Sequence, residues 1–345
     1  MTREDLAGSG EKSRRLTALQ PTTRERFRNY MAGRDVDRPP MFEAQIPSDT
    51  VDLWRTQGLP QDKSPCEYFC LDERERVPMT TARVRRGMAA ITDLRSAQRA
   101  AKWYSKKRRL YPPDWRGVRG SLRASEKVVY ADPYARGFFQ EMGVSDWASL
   151  RAVLLTLSDE PEAAESLMSS YAEFLVELIE LEYPGLDINC AVYSEPIAHP
   201  KAPVISPSMY RRFVLPCLAR VVEAGKRIGI REHIVWSMGG VRPLIPLWLE
   251  AGINGLWIGH AAEAGIDYLE LRRELGPEVS LWGGVDSRAL TCGRETIEAE
   301  IVRIGPLFAS GRYMAMLDDT VRPQISFEAY ADYRRRIEGL FHRDV

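Results

Sequence analysis

The chain has 345 residues, 44% of them hydrophobic; at about 150 residues per domain that fills two ordinary domains or one α/β barrel. Its 48 basic and 48 acidic residues cancel, which argues against a surface that wraps a polyanion, and no stretch approaches the roughly 20 apolar residues of a membrane helix. The opening MTREDLAGSGEKSRRL lacks a signal peptide's apolar middle and the five cysteines are scattered and odd in number, so a cytoplasmic protein without a disulfide framework, bound to neither nucleic acid nor membrane, is expected.

In chain order, residues 1–20 are polar and charged around Gly8-Ser9-Gly10. They read as a disordered or loosely docked lead-in to a folded domain over 21–345. Thr23, followed by Arg24-Glu25-Arg26-Phe27, has the form of an N-cap opening a short helix that ends near Gly33. Pro39-Pro40-Met41-Phe42-Glu43-Ala44 reads as a first strand. The basic run Lys106-Lys107-Arg108-Arg109 lies in a Tyr/Trp/Pro-rich stretch and is read as a solvated loop in preference to a nucleic-acid contact.

From about residue 127 short apolar runs alternate with long amphipathic stretches. The pattern predicts strands at Lys127–Ala131, Asp187–Ser194, His233–Ser237, Gly255–Gly259, Val279–Gly283 and Tyr313–Leu317. Helices are predicted at about 160–182, 207–228, 241–251, 265–275, 294–309 and 326–341. Such alternation builds parallel βαβ units. A dinucleotide-type open sheet should carry an early G-x-G-x-x-G, and none follows any strand; Gly239-Gly240 and Gly283-Gly284 lack the spacing. Polar or charged residues instead end many different strands: Glu43, Asp132, Glu195, Ser237, His260, Asp286 and Asp318-Asp319. Loops that converge on one mouth are what a TIM barrel needs, so the predicted fold is α/β, a single (β/α)8 barrel with an N-terminal helical extension.

His260, after Gly255-Leu256-Trp257-Ile258-Gly259, is placed to be a metal ligand, a proton donor or a substrate anchor; capping of the next helix is the structural alternative. Glu195, stopped by Pro196, can bind a cation or act as acid or base, or form a rim salt bridge. Asp318 and Asp319 repel unless one is protonated, metal-bound or paired with a cation such as Arg322, and N-capping explains one of them more easily than both. Asp286 can serve likewise or cap its loop. No C-x-x-C, H-E-x-x-H, G-x-S-x-G or P-loop is present. Cys66 and Cys70 have C-x₃-C spacing without a second pair, and Cys190 and Cys217 read as core.

Several segments, taken in order, carry a family resemblance. Thr22-Thr23-Arg24-Glu25-Arg26 with Asp37-Arg38-Pro39-Pro40 is similar to the opening of the uroporphyrinogen decarboxylase superfamily, which includes cobalamin-dependent methyltransferases. Trp54 with Gly58-Leu59-Pro60 resembles a W…EGLP segment of the methyltransferase-like branch. Pro203-Val204-Ile205-Ser206-Pro207 leading to Phe213-Val214-Leu215-Pro216, Gly239–Pro246 with Glu250-Ala251-Gly252, and Leu281–Asp286 are similar as well. The resemblance runs from about Thr22 to Phe341 and implies a (β/α)8 barrel.

Departures from the family pattern narrow what the resemblance implies. Haem-pathway members carry an early R-Q-A-G-R whose arginines face their substrate's carboxylates; here Phe42-Glu43-Ala44-Gln45-Ile46-Pro47 stands there, without arginine. Methyltransferase relatives place H-x-C or H-S-D-G after a middle strand and a later cysteine or histidine to complete a zinc site. This chain has Trp236-Ser237-Met238-Gly239 and Asp318-Asp319 instead, so the thiolate zinc site is expected to be absent.

The reading that follows is a methyltransferase that moves a methyl group from a small methoxylated or methylated substrate to a corrinoid (cobalamin) on a partner protein. It would use Asp319, Asp286 and His260 in catalysis, a divalent metal such as zinc on His260, Glu195 and Asp319, and Glu43, Trp236, Ser237, Trp282 and Arg322 against substrate. Trp257 would join an aromatic wall or point outward. The alternative is a cofactor-independent decarboxylase or lyase of a small carboxylic acid, outside the haem pathway. There Asp286 or Asp319 would protonate the carbanion and Arg322 or Arg242 would hold a carboxylate. A third reading is a binding protein without chemistry. A homodimer is compatible with each.

Overall fold

A computed structural model describes residues 21–78, 89–104 and 112–341. The expected lead-in over 1–20 and the basic run Lys106–Arg109 lie outside the described residues.

Among the described residues seven strands form one sheet in chain order: β1 Arg74–Arg76, β2 Val128–Tyr134, β3 Cys190–Ser194, β4 Glu232–Met238, β5 Gly255–Gly259, β6 Ser280–Trp282 and β7 Tyr313–Met314. Every neighbouring pair is parallel. Parallel neighbours need crossover segments, and the helices between the strands supply them. The result is a curled, all-parallel α/β sheet. Past β6 and β7 a further bridge joins Val285 to Leu317.

Six of the seven strands fall on the predicted apolar runs. The predicted strand at 39–44 is not assigned, because its ladder donors are missing or diverted. Pro39 and Pro40 have no N–H, and the Met41 N–H donates to the Asp72 carboxylate at 2.7 Å. The segment is still bonded on both sides: Asp72 N–H donates to Met41 O at 2.7 Å and Val321 N–H to Gln45 O at 3.0 Å. In its place β1 supplies a strand that Arg74-Glu75-Arg76 does not announce. The predicted helix over 207–228 is two helices, Pro207–Phe213 and Leu215–Arg227, with Pro216 opening the second. That over 241–251 is a 3₁₀ turn, Arg242–Leu244, running into Ile245–Glu250. The helix Trp147–Asp159 was not expected, although Asp146 and Ser149 cap it reciprocally.

Strand alternation sorts the core into two shells. Val129 and Ala131 of β2 pack outward with the helices, whereas Val128 and Tyr130 face inward with Cys190, Ile234, Trp282, Met314 and Met316. The helix Thr23–Met31 closes the N-terminal end of this bore, not an appendage to it. Phe27 packs on Phe42 and Trp282 at 6.1 and 5.9 Å between ring centres, and the Tyr30 hydroxyl donates to Tyr313 O at 2.9 Å while accepting from Tyr313 N–H at 3.0 Å.

Candidate functional site

The exits of β5, β6 and β7 gather His260, Asp286, Asp318, Asp319, Arg288 and Arg322 around a cavity of about 360 Å³. A volume at the low end of the roughly 300–1,000 Å³ span of small-molecule sites suits a small substrate. His260 leaves β5 with a φ of +53°, a left-handed conformation uncommon for a residue with a side chain but one that histidine adopts more readily than most. Its Nε2 stands 3.7 Å from Asp319 Oδ1 and its Nδ1 3.7 Å from Glu263 Oε2.

The two adjacent aspartates do different things. Asp319 Oδ2 pairs with Arg322 Nε at 2.5 Å and its Oδ1 accepts from Thr320 N–H at 2.7 Å. Asp318 is buried, and its oxygens accept from Ser287 N–H at 3.0 Å and Ala262 N–H at 3.3 Å, tying together the loops that follow β5 and β6. Burial pushes its carboxyl up, against the pull of those two main-chain donors. Arg322 belongs to Asp319 and not to Asp318. Asp286 caps the 3₁₀ turn Ser287–Thr291 and holds Arg288 in a two-pronged pair, Oδ1 to Nε at 2.9 Å and Oδ2 to Nη2 at 2.8 Å. Burial works to raise its carboxyl, yet the Arg288 guanidinium and main-chain N–H leave it below the ordinary value.

The remaining expected residues do not line this cavity. Glu195 follows β3, two strands from His260; its Oε1 accepts from Phe138 N–H at 2.9 Å, and its buried Oε2 makes no hydrogen bond of ordinary geometry among the described residues, though the Tyr134 hydroxyl lies near enough to favour the carboxylate. Burial pushes that carboxyl up to about 7. Gly137, at φ +65°, lets the chain pass here, since a Cβ would stand 3.0 Å from Glu195 Oε1. Glu43 is buried and committed to the fold: Oε1 accepts from Leu317 N–H at 2.9 Å, and Oε2 from Tyr330 Oη at 2.8 Å and Arg334 Nη2 at 3.1 Å. Ser237 faces away from the bore and donates to Glu195 O at 2.5 Å. Arg242 pairs with Glu274 and, at 3.6 Å, Glu270.

Trp236, Trp257 and Trp282 are ladder partners on β4, β5 and β6, and so point the same way. Trp257 faces the bore, stacked on Trp282 at 6.3 Å. Trp282 itself is fully buried against Phe42 and offers a ligand no surface.

Among the described residues no three His, Cys, Asp or Glu side chains are placed to hold an ion, and Glu195 points at the Phe138 amide instead of joining His260 and Asp319. Cys190 and Cys217 are buried, as expected of core residues, and burial pushes the Cys190 thiol up to about 12. Sequence reasoning missed Glu263 and Arg288, although Arg288 follows Asp286 by two residues, and it missed Arg74 and Arg76 altogether.

A parallel α/β sheet that presents its polar groups at the C-terminal ends of the strands belongs to the enzymes and binding proteins built from βα loops. Within that class, residues 148–333 match the family model described as uroporphyrinogen decarboxylase (URO-D). The chain belongs to that family. It is 24% identical over 162 residues to a uroporphyrinogen decarboxylase of Geobacter metallireducens, covering 47% of this chain and 44% of the relative. To one of Pseudomonas fluorescens it is 26% identical over 199 residues, covering 54% and 52%. The chain thus spans about half the length of the curated relatives it matches. Among solved structures a D-psicose 3-epimerase determined in the presence of D-fructose superposes with a TM-score of 0.34 at 13% identity, covering 66% of this chain and 81% of the epimerase; that likeness is too loose to carry an argument.

Proposed function

We propose that the protein is an acid–base enzyme that decarboxylates a small carboxylic acid in the cavity between His260 and Arg322. The observation that carries this is the array Glu263–His260–Asp319–Arg322: an imidazole between two carboxylates, beside a guanidinium whose Nη groups remain for substrate. The relatives' shared name, uroporphyrinogen decarboxylase, agrees with the reaction type. Arg322 and Arg288 would hold the reacting carboxylate. As the C–C bond breaks, its electron pair passes into the substrate's own conjugated group and CO₂ departs. His260 then delivers a proton to the carbon, and solvent restores it. Asp319 positions the ring and balances its charge. Methyl transfer to a corrinoid protein is the second reading, supported by the likeness of Trp54, Gly58-Leu59-Pro60 and Pro203–Pro207 to the methyltransferase-like branch. No step is derived through zinc or corrinoid, because the residues gathered here do not make the metal site which that chemistry would call on.

The test is CO₂ release from a panel of small oxo- and heteroaromatic carboxylates. His260→Gln should lower the rate of the best substrate by about 100-fold or more. A folded His260→Gln protein with undiminished rate overturns the assignment. Appearance of methylcobalamin and the demethylated alcohol from a methoxylated substrate and pre-reduced cob(I)alamin, with no CO₂ from any acid, favours the second reading.

A further inference from the structure

A second cavity, of about 340 Å³, opens beside β1 and shares no lining residue with the first. Its walls are apolar at Ile46, Val51 and Leu71, and they also carry three carboxylates and one guanidinium. The carboxylates are all occupied. Glu43 is held by Tyr330 and Arg334. Asp72 receives Arg26 Nη1 at 2.6 Å and Arg38 Nη1 at 2.5 Å, and Glu73 pairs with Lys127 at 3.1 Å. The guanidinium, that of Arg74, is different. It donates through Nη2 to Glu43 O at 2.7 Å, and among the described residues no carboxylate lies within ion-pair distance of it.

Arg74 is partly buried. It projects from β1 into the bore, with its central carbon 5.1 Å from the ring centre of Phe42 and 5.3 Å from that of Trp257. Two aromatic rings fix the plane of the fork and stabilise its charge, but they accept none of its in-plane N–H bonds. A partly buried guanidinium held between two rings, with donors to spare, is a good anion receptor, since its fork matches a carboxylate in two parallel hydrogen bonds. Burial also lowers its hold on its proton, which an arriving anion would restore.

We infer that Arg74 anchors a carboxylate-binding site: a small organic acid enters this cavity with its carboxylate on the Arg74 fork and its apolar body against Ile46, Val51 and Leu71. Tyr130, on the same wall, bounds the pocket on the β2 side. This site goes beyond the acid–base cavity and does not depend on it, because occupancy is read without turnover.

The probe is benzoate, set against its neutral isostere benzamide and against inorganic phosphate, by titration calorimetry on the full chain. Benzoate should bind saturably and at least about 10-fold more tightly than benzamide, and Arg74→Gln should weaken it by about 10- to 100-fold. Arg211→Gln, at an exposed pair with Glu250 that lines neither cavity, should leave benzoate affinity within about twofold. The inference is overturned if benzamide matches benzoate in the natural protein, if folded Arg74→Gln binds benzoate unchanged, or if the loss follows Arg322→Gln instead. Phosphate binding that depends on Arg74, with none of benzoate, overturns the organic acid. Should Arg74→Gln fail to fold, the benzoate–benzamide contrast in the natural protein and the Arg322→Gln titration still decide.

Discussion

The main-chain N–H of His260 donates to the carbonyl oxygen of Asp318 at 2.6 Å, while the Asp318 N–H donates to Val285 O at 2.8 Å. The exits of β5, β6 and β7 are therefore fastened to one another by the backbone, before any side chain is counted. Because Asp319 is the next residue, its carboxylate reaches His260 from a fixed base. The imidazole–carboxylate geometry is a property of the sheet's end and not of loose loops.

That division of labour predicts opposite phenotypes for adjacent residues. Asp319→Asn, which removes charge and keeps shape, should lower turnover by roughly two orders of magnitude and leave the urea midpoint nearly unchanged. Asp318→Asn should lose about 1–3 kcal/mol of stability, since one of its two acceptors becomes a donor facing a main-chain N–H, with a smaller loss of activity. Paired denaturation and kinetic measurements check both. Equal, small effects in folded proteins would leave the pair as a cap only.

Glu195 should make stability depend on pH. Its carboxyl titrates near 7 when folded, because burial disfavours the charge, against an ordinary value of 4.5. Between those limits the folded protein holds a proton that the unfolded chain releases. Stability therefore falls as pH rises through the window and levels off above it. Asp132, pushed up to about 6 by burial against the pull of Arg76, acts in the same sense. Glu195→Gln keeps Asp132 and loses only its own part, so its stability relative to the natural protein should increase from pH 5 to pH 8. A constant difference in urea midpoint across that range would contradict the assignment.

Uroporphyrinogen should not be a substrate. Glu43, at the position that the sequence resemblance pairs with a haem-pathway arginine, is locked to Arg334, and a cavity of about 360 Å³ suits a far smaller acid. Turnover to coproporphyrinogen at about 1 s⁻¹ or faster, an ordinary enzymatic rate, would refute this.

Zinc should be substoichiometric in protein purified without chelator, by plasma emission analysis. Stoichiometric zinc that is lost on His260→Ala and retained in a Cys66/Cys70 double serine variant would return the metal to the mouth.

The strands from β2 onward were legible because each is an apolar run closed by a polar residue. The family segments were legible because their order along the chain is distinctive. β1 was not, since Arg74-Glu75-Arg76 reads as solvent-facing charge. Arg74 turns inward because the bore offers Phe42 and Trp257, 32 and 183 residues away, and Arg76 pairs with Asp132, 56 residues on, partners that no local window contains. The same distance explains Glu43, whose partners Tyr330 and Arg334 lie nearly 300 residues on. Asp318 and Asp319 were recognised as a pair, but only the positions of Ser287, Ala262 and His260 could divide them into a loop tie and a neighbour of the imidazole.

The two hydrogen bonds between Tyr30 and Tyr313 span 283 residues, and this sets the order of events during synthesis. A ribosome-bound chain cannot seal its bore until Tyr313 has left the exit tunnel. Until then Phe27, Phe42 and, once made, Trp282 present an open aromatic face. Contacts of such long range slow folding and prolong the life of sticky intermediates. Chains that stall short of β7 should therefore be recruits for chaperones and aggregates, whereas the finished chain can close the helix Thr23–Met31 onto β7.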